Sequence, residues 1–356
     1  MQPSPKKQVQ FLLNIGRLLQ DGSFVATYKH ALLLSIADVC VEKGDDSGAT
    51  LRINIDELAE KFIFYYWRQA IPYQPLGNQQ LGAILKQNTG KQAAIITSIV
   101  RARTEYGGSL IRLKANARAW RGLRSKVADT IRIMPLWKLQ TIGRQNLEFL
   151  YPKDHIQRES IELKEGVCFC FRLFHGLIHE LVRGAWLRFV RGIKENQPLL
   201  GTATELSDFM FGSSRVPLEV YRPILADYQN GECFYCRKTL RDRVDVDHFI
   251  PWSRYPVDLG HNFVLSHQIC NAQKGNRLAA ESHLERWCKR SVDHGGELAG
   301  RFQEKNIVHD QESSRQITLW AYEQAQHANS EVWLLRQELV ALTSSWRSLL
   351  NAGAKD

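Results

Sequence analysis

Residues 233–277 bring together two kinds of side chain that can bind metal ions. The soft set consists of two pairs with the same spacing, Cys233/Cys236 and His267/Cys270. The hard, hydrolytic set consists of Asp247, His248, Asn262 and Asn271. Thiolate and imidazole suit zinc, whereas carboxylate and amide oxygens suit magnesium or manganese. The two sets therefore predict a structural metal and a catalytic metal within one small module.

The soft set has the composition of a tetrahedral Cys3His zinc site. Four protein ligands close every position on the ion, so we expect this site to be structural. It would hold the start of the module against the start of its last helix. A module of this size has little core of its own and gains stability from such a link. The alternative is a group of unrelated buried cysteine and histidine side chains.

The hard set has the groups that phosphodiester hydrolysis needs. A base must deprotonate water, a cation must neutralise the developing charge, and the base must be oriented. His248 suits the base, because its unperturbed pKa lies near neutrality. Alternation of β-branched residues predicts a strand over Val244–His248, and residues 263–266 predict a second. A helix from residue 270 to about residue 278 completes a ββα order.

The order CxxC, V-D-H-x-I-P-x-S, H-N-x-V-L and HxxCNxxKGN resembles the HNH endonuclease family, whose fold is the ββα-metal finger. The resemblance covers roughly residues 231–290, less than a fifth of the chain. It implies that His248 is the general base, that Asp247 and Asn271 bind the catalytic metal, and that Asn262 braces the loop and orients the base. The last family position is often histidine, and the amide oxygen of Asn271 favours Mg²⁺ or Mn²⁺.

Four neighbours of this set have weaker assignments. His261 is an alternative ligand or phosphate contact. Asp245 shares a strand face with Asp247, and we expect it to support the site or face solvent rather than bind metal. Lys274 and Arg277 follow Asn271 at helical spacing and would contact the DNA backbone.

Basic residues are concentrated in one segment of a chain whose net charge is +10. Residues 101–144 contain eleven lysines and arginines against two acids. Such a cluster is typical of a surface that binds a polyphosphate. The candidate nucleic-acid contacts are Arg112, Lys114, Arg118, Arg121, Arg124 and Lys126. The alternative is a solvated basic face without a ligand.

The remaining pattern predicts a mainly α fold with three parts. Residues 1–215 form a mostly helical domain, with candidate short strands at LIRLKA, TIRIMPLW and LEFLYP; residues 216–290 form the HNH module; and residues 291–356 form a helical region. The DHGG segment at 293–296 predicts a break before that last region. There, Val332, Leu335, Leu339, Leu342, Trp346 and Leu349 form a heptad-like stripe, which indicates packing on the chain's own core or, alternatively, a homodimer contact.

Composition indicates the class of protein and its cellular compartment. Hydrophobic residues make up 44% and charged residues 24% of the chain, as in ordinary globular proteins. The sequence contains no uncharged apolar run long enough to indicate a membrane span. The N-terminal segment lacks the pattern of a signal peptide. Seven cysteines, three of them in the zinc-like set, favour the reducing cytoplasm.

One histidine pair lies outside the module. His175 and His179 stand four residues apart on a predicted helix, as zinc ligands do. The glutamate of an H-E-x-x-H motif is absent, so we interpret the pair as core residues.

The sequence therefore predicts a metal-dependent endonuclease that cuts DNA. A large helical region joined to such a nuclease is typical of a bacterial defence effector, which would act with other proteins of a defence system. The alternatives are a zinc-stapled nucleic-acid-binding regulator without turnover and an RNase.

Overall fold

The computed structural model describes residues 1–22, 24–75, 82–154, 156, 159–212 and 218–352. The chain divides into two compact units, an N-terminal unit (Met1–Gly212) and a C-terminal unit (Ser213–Asp356). The predicted domain boundary between residues 215 and 216 lies outside the described residues. Helices dominate, and the described strands form only two-stranded antiparallel sheets, which confirms the prediction of a mainly α fold.

The N-terminal unit is built from helices joined by short sheets. Its helices are α1 (Pro5–Asp21), α2 (Tyr28–Lys43), α3 (Ile55–Gln69), α4 (Ala94–Glu105), α5 (Leu110–Ala115), α6 (Ala117–Ile133), α7 (Pro135–Lys138), α8 (Val167–Leu173), α9 (His175–Gly192) and α10 (Ala203–Phe211). Its sheets pair β1 (Leu51–Asn54) with β4 (Ser160–Leu163), and β2 (Thr141–Ile142) with β3 (Gln145–Asn146).

Helix α2 runs through the core of this unit. Every residue from Tyr28 to Val41 is buried, as expected of a helix that packs on all sides. Helices α3, α8 and α9 contact it. One continuous apolar cluster extends from Phe11 on α1 to Met210 on α10. Within this core, Asp38 is a buried carboxylate on α2.

The three segments that we expected as short strands are not strands. LIRLKA is helix α5, and the Ser109 hydroxyl caps it by accepting a 3.3 Å hydrogen bond from the backbone N–H of Arg112. TIRIMPLW covers the end of α6 and the start of α7, and Asn116 caps α6 in the same way. LEFLYP contains no strand. Polar side chains cap the starts of both helices and favour helix over strand in these segments. The pattern of apolar residues alone did not reveal these caps.

The C-terminal unit contains the predicted module. Its elements are α11 (Arg222–Tyr228), β5 (Val244–His248), β6 (Phe263–His267), α12 (Gln268–Lys274), α13 (Glu281–Glu304), α14 (Gln311–His327), β7 (Glu331–Leu335), β8 (Glu338–Ala341) and α15 (Trp346–Ala352). Strands β5 and β6 pair antiparallel, from Val244 opposite His267 to His248 opposite Phe263. With α12 they form the ββα order predicted from the sequence.

The predicted break at residues 293–296 is wrong, because α13 continues through it to Glu304. Gly295 has a different purpose there. A Cβ atom at this position would lie 2.3 Å from the side-chain oxygen of Gln311, at the start of α14. The glycine therefore permits a close approach of two helices instead of ending one.

The heptad-like stripe is also not one continuous helix, and only its last two members lie on α15. Its first members lie on the hairpin β7–β8, whose two-residue loop contains Arg336 at a φ of 53°. That left-handed conformation suits a tight hairpin turn and not a helix. Strand β7 is further held by Trp333, whose backbone exchanges hydrogen bonds with Leu278 and Ala280. The stripe therefore gives no support to the alternative of a homodimer contact.

Among the described residues, no helix is both long enough and apolar enough to cross a bilayer.

Candidate active site

Strand alternation sorts the candidate residues of β5 onto two faces. Successive side chains of a strand point to opposite sides of the sheet. Asp245 and Asp247 therefore share one face, and Val246 and His248 share the other. Val246 packs in a buried cluster with Phe263 and other apolar residues of this unit. The apolar face fixes the register of β5 and so fixes which side the two carboxylates occupy.

The predicted soft ligands do come together. Cys233, Cys236, His267 and Cys270 each offer a ligand atom, and these atoms all lie within 4.8 Å of one another. Cys236 Sγ is 3.3 Å from His267 Nδ1, and the His267 backbone N–H donates to Cys233 Sγ at 3.4 Å. Arg237, at a φ of 63°, turns the chain immediately after the CxxC pair. The set links this turn to the end of β6 and the first turn of α12.

The chemistry of this donor set favours a bound cation. Burial, followed by the neighbouring Cys233 and Cys236, raises the pKa of the Cys270 thiol. Three thiols this close cannot all ionise without a compensating positive charge. A metal ion provides that charge and deprotonates its thiol ligands outright. Three thiols and one imidazole at these distances fit a tetrahedral ion, whose Zn–S bonds are about 2.3 Å long.

His248 lies at the end of β5, where it is oriented but not sealed. Its Nε2 is 2.7 Å from Asp258 Oδ1, and its side chain is 18% exposed. The rings of Trp252 and Phe263 lie against it, at centroid distances of 5.6 and 4.5 Å. Sequence reasoning missed Asp258, because it lies in an irregular loop with no motif spacing to mark it. A histidine with one nitrogen held by a carboxylate keeps a defined tautomer.

Asn262 lies against the loop that follows His248. Its Oδ1 accepts a 2.8 Å hydrogen bond from the backbone N–H of Ile250, and its Nδ2 donates to the carbonyl of the same residue at 3.0 Å. The backbone carbonyl of Asn262 also accepts from the N–H of Phe249 at 2.8 Å. Both ends of the loop 249–262 are therefore tied to each other directly behind the histidine.

Asp247 is buried and already has partners. Lys274 Nζ lies 2.9 Å from its Oδ2, and the Tyr235 hydroxyl donates to the same oxygen at 2.5 Å. Burial and then the Asp247 charge raise the pKa of Tyr235, so the phenol stays protonated as the donor. Lys274 also donates to the carbonyl of His248 at 2.8 Å, and its side chain has no exposed area. Lys274 thus faces the site and not the solvent, where we expected it to meet DNA; Arg277 is exposed.

Asn271 contacts the other carboxylate of the strand. Its Nδ2 donates to Asp245 Oδ2 at 3.0 Å. We expected Asp245 to support the site or face solvent rather than bind metal, and it is the carboxylate that accepts this hydrogen bond. Two carboxylates and an amide are suitable donors for a hard divalent cation. The Asn271 amide nitrogen faces Asp245. Rotating the amide group by half a turn would place its oxygen, the atom that can bind a cation, on the side of Asp245.

His261 does not lie at the metal site or at a phosphate-facing surface. It is 1% exposed, and its Nε2 is 3.1 Å from the carbonyl of Gly295 on α13. Burial lowers its pKa to about 4, so the ring is neutral at pH 7. Its position is that of a core residue beneath the active-site loop.

The basic candidates lie on α5 and α6 of the N-terminal unit. Arg112, Lys114, Arg118, Arg121 and Lys126 are exposed. Arg124 is less so, and its guanidinium pairs with Asp56 at 3.3 Å and Glu60 at 2.9 Å. The Lys114 ammonium lies 5.0 Å from the Trp120 ring centre. Helix α6 buries Leu123, Val127 and Ile131, so its charged side chains are confined to its outer face.

Comparison with known proteins gives two family matches. Residues 233–280 match the family described as HNH endonuclease, and the match contains the Cys3His set and all four hydrolytic candidates. Residues 8–207, more than half of the chain, match the family described as a domain of unknown function (DUF8808). No curated protein and no solved structure matches the chain. The chain therefore belongs to the DUF8808 family and carries an HNH-type nuclease domain in its C-terminal unit.

Proposed function

We propose that this chain is a metal-dependent endonuclease that hydrolyses phosphodiester bonds of DNA. The observation that carries the proposal is the environment of His248. The imidazole is partly exposed, is held by Asp258, and ends the strand that also bears two carboxylates. A buried or unoriented histidine could not act as a base toward water at a bound phosphate.

The protein groups divide the reaction between them. Asp258 accepts a hydrogen bond from the Nε2–H of His248, which leaves the lone pair on Nδ1. Nδ1 takes a proton from water, and the water oxygen attacks the phosphorus. The bond from phosphorus to the 3′ oxygen breaks, and this oxygen takes a proton from solvent, giving 5′-phosphate and 3′-hydroxyl ends. Asp258 stabilises the imidazolium that forms, as a carboxylate partner does in other histidine-dependent hydrolases.

Two kinds of metal accompany this scheme. A bound Mg²⁺ or Mn²⁺ would neutralise charge on the scissile phosphate and the leaving oxygen. Asp247 and Asn271, with Asp245 beside the amide, would hold it, while Tyr235 orients the carboxylate of Asp247. Zn²⁺ in the Cys3His set would be structural, since four protein ligands leave no open position.

Contacts to the DNA backbone would come from basic side chains. The exposed residues of α5 and α6 and Arg277 are suited to phosphate, which supplies affinity without base selectivity. Helix α12 carries Asn271 and Cys270, so it is committed to metal binding and not to reading bases.

Nicking of supercoiled plasmid tests the proposal. We expect relaxation with Mg²⁺ or Mn²⁺, and His248→Ala should slow it by about 10²–10⁴-fold, as loss of a general base does. His294→Ala, which removes a partly exposed histidine of α13, is the matched control and should cut normally. Equal rates for His248→Ala and the unaltered chain would overturn the assignment of the base.

The same preparation separates the two alternative functions. Labelled DNA and RNA are digested side by side, and binding of each is measured by gel shift. Cutting of RNA alone would identify an RNase. Binding of DNA without cutting of either polymer would identify a regulator without turnover.

We further propose a role in bacterial defence in the cytoplasm. The support is architectural: a large helical unit accompanies a nuclease domain. All seven cysteines are described, and none forms a disulfide, which suits a reducing compartment. Other proteins of a defence system would trigger cutting, and a double-strand break would need a second copy or two successive nicks. In a phage-challenge assay, Asn271→Ala should abolish protection, and undiminished protection would contradict the role.

A further inference from the structure

The core of the N-terminal unit contains a second group of converging metal-ligand atoms. Asp38 lies on α2, and His175 and His179 lie one turn apart on α9. His175 Nε2 is 3.0 Å and His179 Nε2 is 2.9 Å from the same atom, Asp38 Oδ1. The three side chains can offer ligand atoms that all lie within 4.8 Å of one another. The i, i+4 spacing on α9 puts both rings on the face that packs against α2.

This group differs from an exposed acidic or histidine cluster in its burial. Asp38 is 3%, His175 1% and His179 5% exposed. A buried carboxylate needs a positive charge or several donors close by. Both histidines lie within hydrogen-bond distance of the Asp38 carboxylate, and the nearby Lys61 on α3 pairs with Glu42. The Tyr65 hydroxyl on α3 donates to the second oxygen, Oδ2, at 2.5 Å.

We propose that Asp38, His175 and His179 bind one divalent transition-metal ion in the core of the N-terminal unit. Two imidazole nitrogens and one carboxylate oxygen form a donor set that suits Zn²⁺ or Fe²⁺ and does not suit Mg²⁺ or Ca²⁺. Tyr65 orients the Asp38 carboxylate by donating to Oδ2, the oxygen that neither histidine contacts. Residues that hydrogen-bond to metal ligands commonly orient them in this way.

The ion would tie α2 to α9 and would not take part in the nuclease reaction. All three ligands are almost completely enclosed, so no substrate could reach an open position on the metal. The proposal is independent of the proposed nuclease activity, since its ligands all belong to the N-terminal unit.

Metal analysis of the full-length chain tests it. After dialysis against metal-free buffer, elemental mass spectrometry should find two tightly held transition-metal ions per chain, one in each cluster. Cys270→Ser should keep one ion, because it leaves the N-terminal unit unaltered. His179→Gln should also keep one, and the double variant none. A Cys270→Ser chain without any transition metal would overturn the proposal.

Two controls separate metal binding from folding. His30→Gln removes another buried histidine of α2, one that stacks on Phe24, and should leave the metal content unchanged. Circular dichroism shows whether each variant is folded. Cobalt loaded into Cys270→Ser should give the d–d absorption of nitrogen and oxygen ligands, and His179→Gln in that background should remove it. Cobalt spectra that are identical in the two chains would mean that Asp38 only accepts hydrogen bonds from its neighbours.

Discussion

Helix α2 and the loop 249–262 both support clustered polar side chains, but their backbones are held in different ways. In α2 the backbone groups bond one another along the helix, and apolar neighbours surround it. The loop has no such internal ladder. Arg290 donates to the carbonyls of Phe263 and His261 at 2.7 and 2.6 Å, and Trp287 donates to His261 at 3.1 Å. Each of these ties is a single side chain that one substitution can remove.

The comparison indicates where each unit is vulnerable. The N-terminal unit should depend on its apolar core, and a metal in its Asp38 cluster should add to a fold that already exists. The nuclease module should depend on the Cys3His set and on buried polar side chains, since its sheet has only two strands. Two-stranded sheets are marginal in water without further support.

Loss of the metal from the Cys3His set should have the largest effect on folding and activity. Cys270→Ser, or a strong zinc chelator, should unfold residues 233–280 and abolish cutting, because structural zinc contributes about 10 kcal/mol or more to small metal-stabilised folds. Hydrogen exchange read by mass spectrometry should show lost protection there and retained protection in α2. Cys288→Ser, a half-buried cysteine of α13 outside the set, serves as the control. Unchanged protection of β5 and β6 in Cys270→Ser would remove the basis of the comparison.

The features of the module that the sequence predicts correctly are those that depend on local backbone geometry. Val244–His248 was predicted as a strand from its alternation, and the structure has that strand. The Cys3His set was predicted from two equal spacings and is confirmed as a cluster. Both patterns are local, and local periodicity depends only on backbone geometry.

Contacts between distant segments escaped the same reasoning. Asp258 meets His248 through a loop, and Asp38 meets His179 across 141 positions of sequence. Neither pairing leaves a periodic trace. The hairpin β7–β8 was misread because its apolar residues also fit three- and four-residue steps. Its backbone bonds to Leu278 and Ala280, which the sequence does not reveal, favour the strand.

Acidification should lower the free energy of unfolding of the C-terminal unit by a smaller amount. Burial lowers the pKa of His261 to about 4, so the folded unit holds a neutral ring that the unfolded chain protonates below about pH 6.5. Between these values the unfolded state binds more protons, so the free energy of unfolding falls as the pH falls. The loss from this one residue should reach about 2 kcal/mol at pH 5.

Urea unfolding at pH 7 and pH 5 measures this contribution. His261→Gln keeps a donor for the Gly295 carbonyl but cannot titrate, so its loss of stability on acidification should be smaller than that of the unaltered chain. His294→Gln, which replaces a partly exposed histidine, should leave the pH dependence unchanged. An identical pH dependence in His261→Gln would show that the ring is not held neutral in the folded unit.

The smallest effect should come from the surface of the N-terminal unit. Arg124 on α6 pairs with Asp56 and Glu60, yet its side chain is 28% exposed, and such pairs contribute about 0–1 kcal/mol. Leu123, its buried neighbour on the same helix, should cost about 2–5 kcal/mol when changed to alanine. Urea unfolding of Arg124→Gln and Leu123→Ala therefore compares a polar tie with apolar packing one residue apart. If Arg124→Gln proved as costly as Leu123→Ala, the N-terminal unit would depend on polar ties as the nuclease module does.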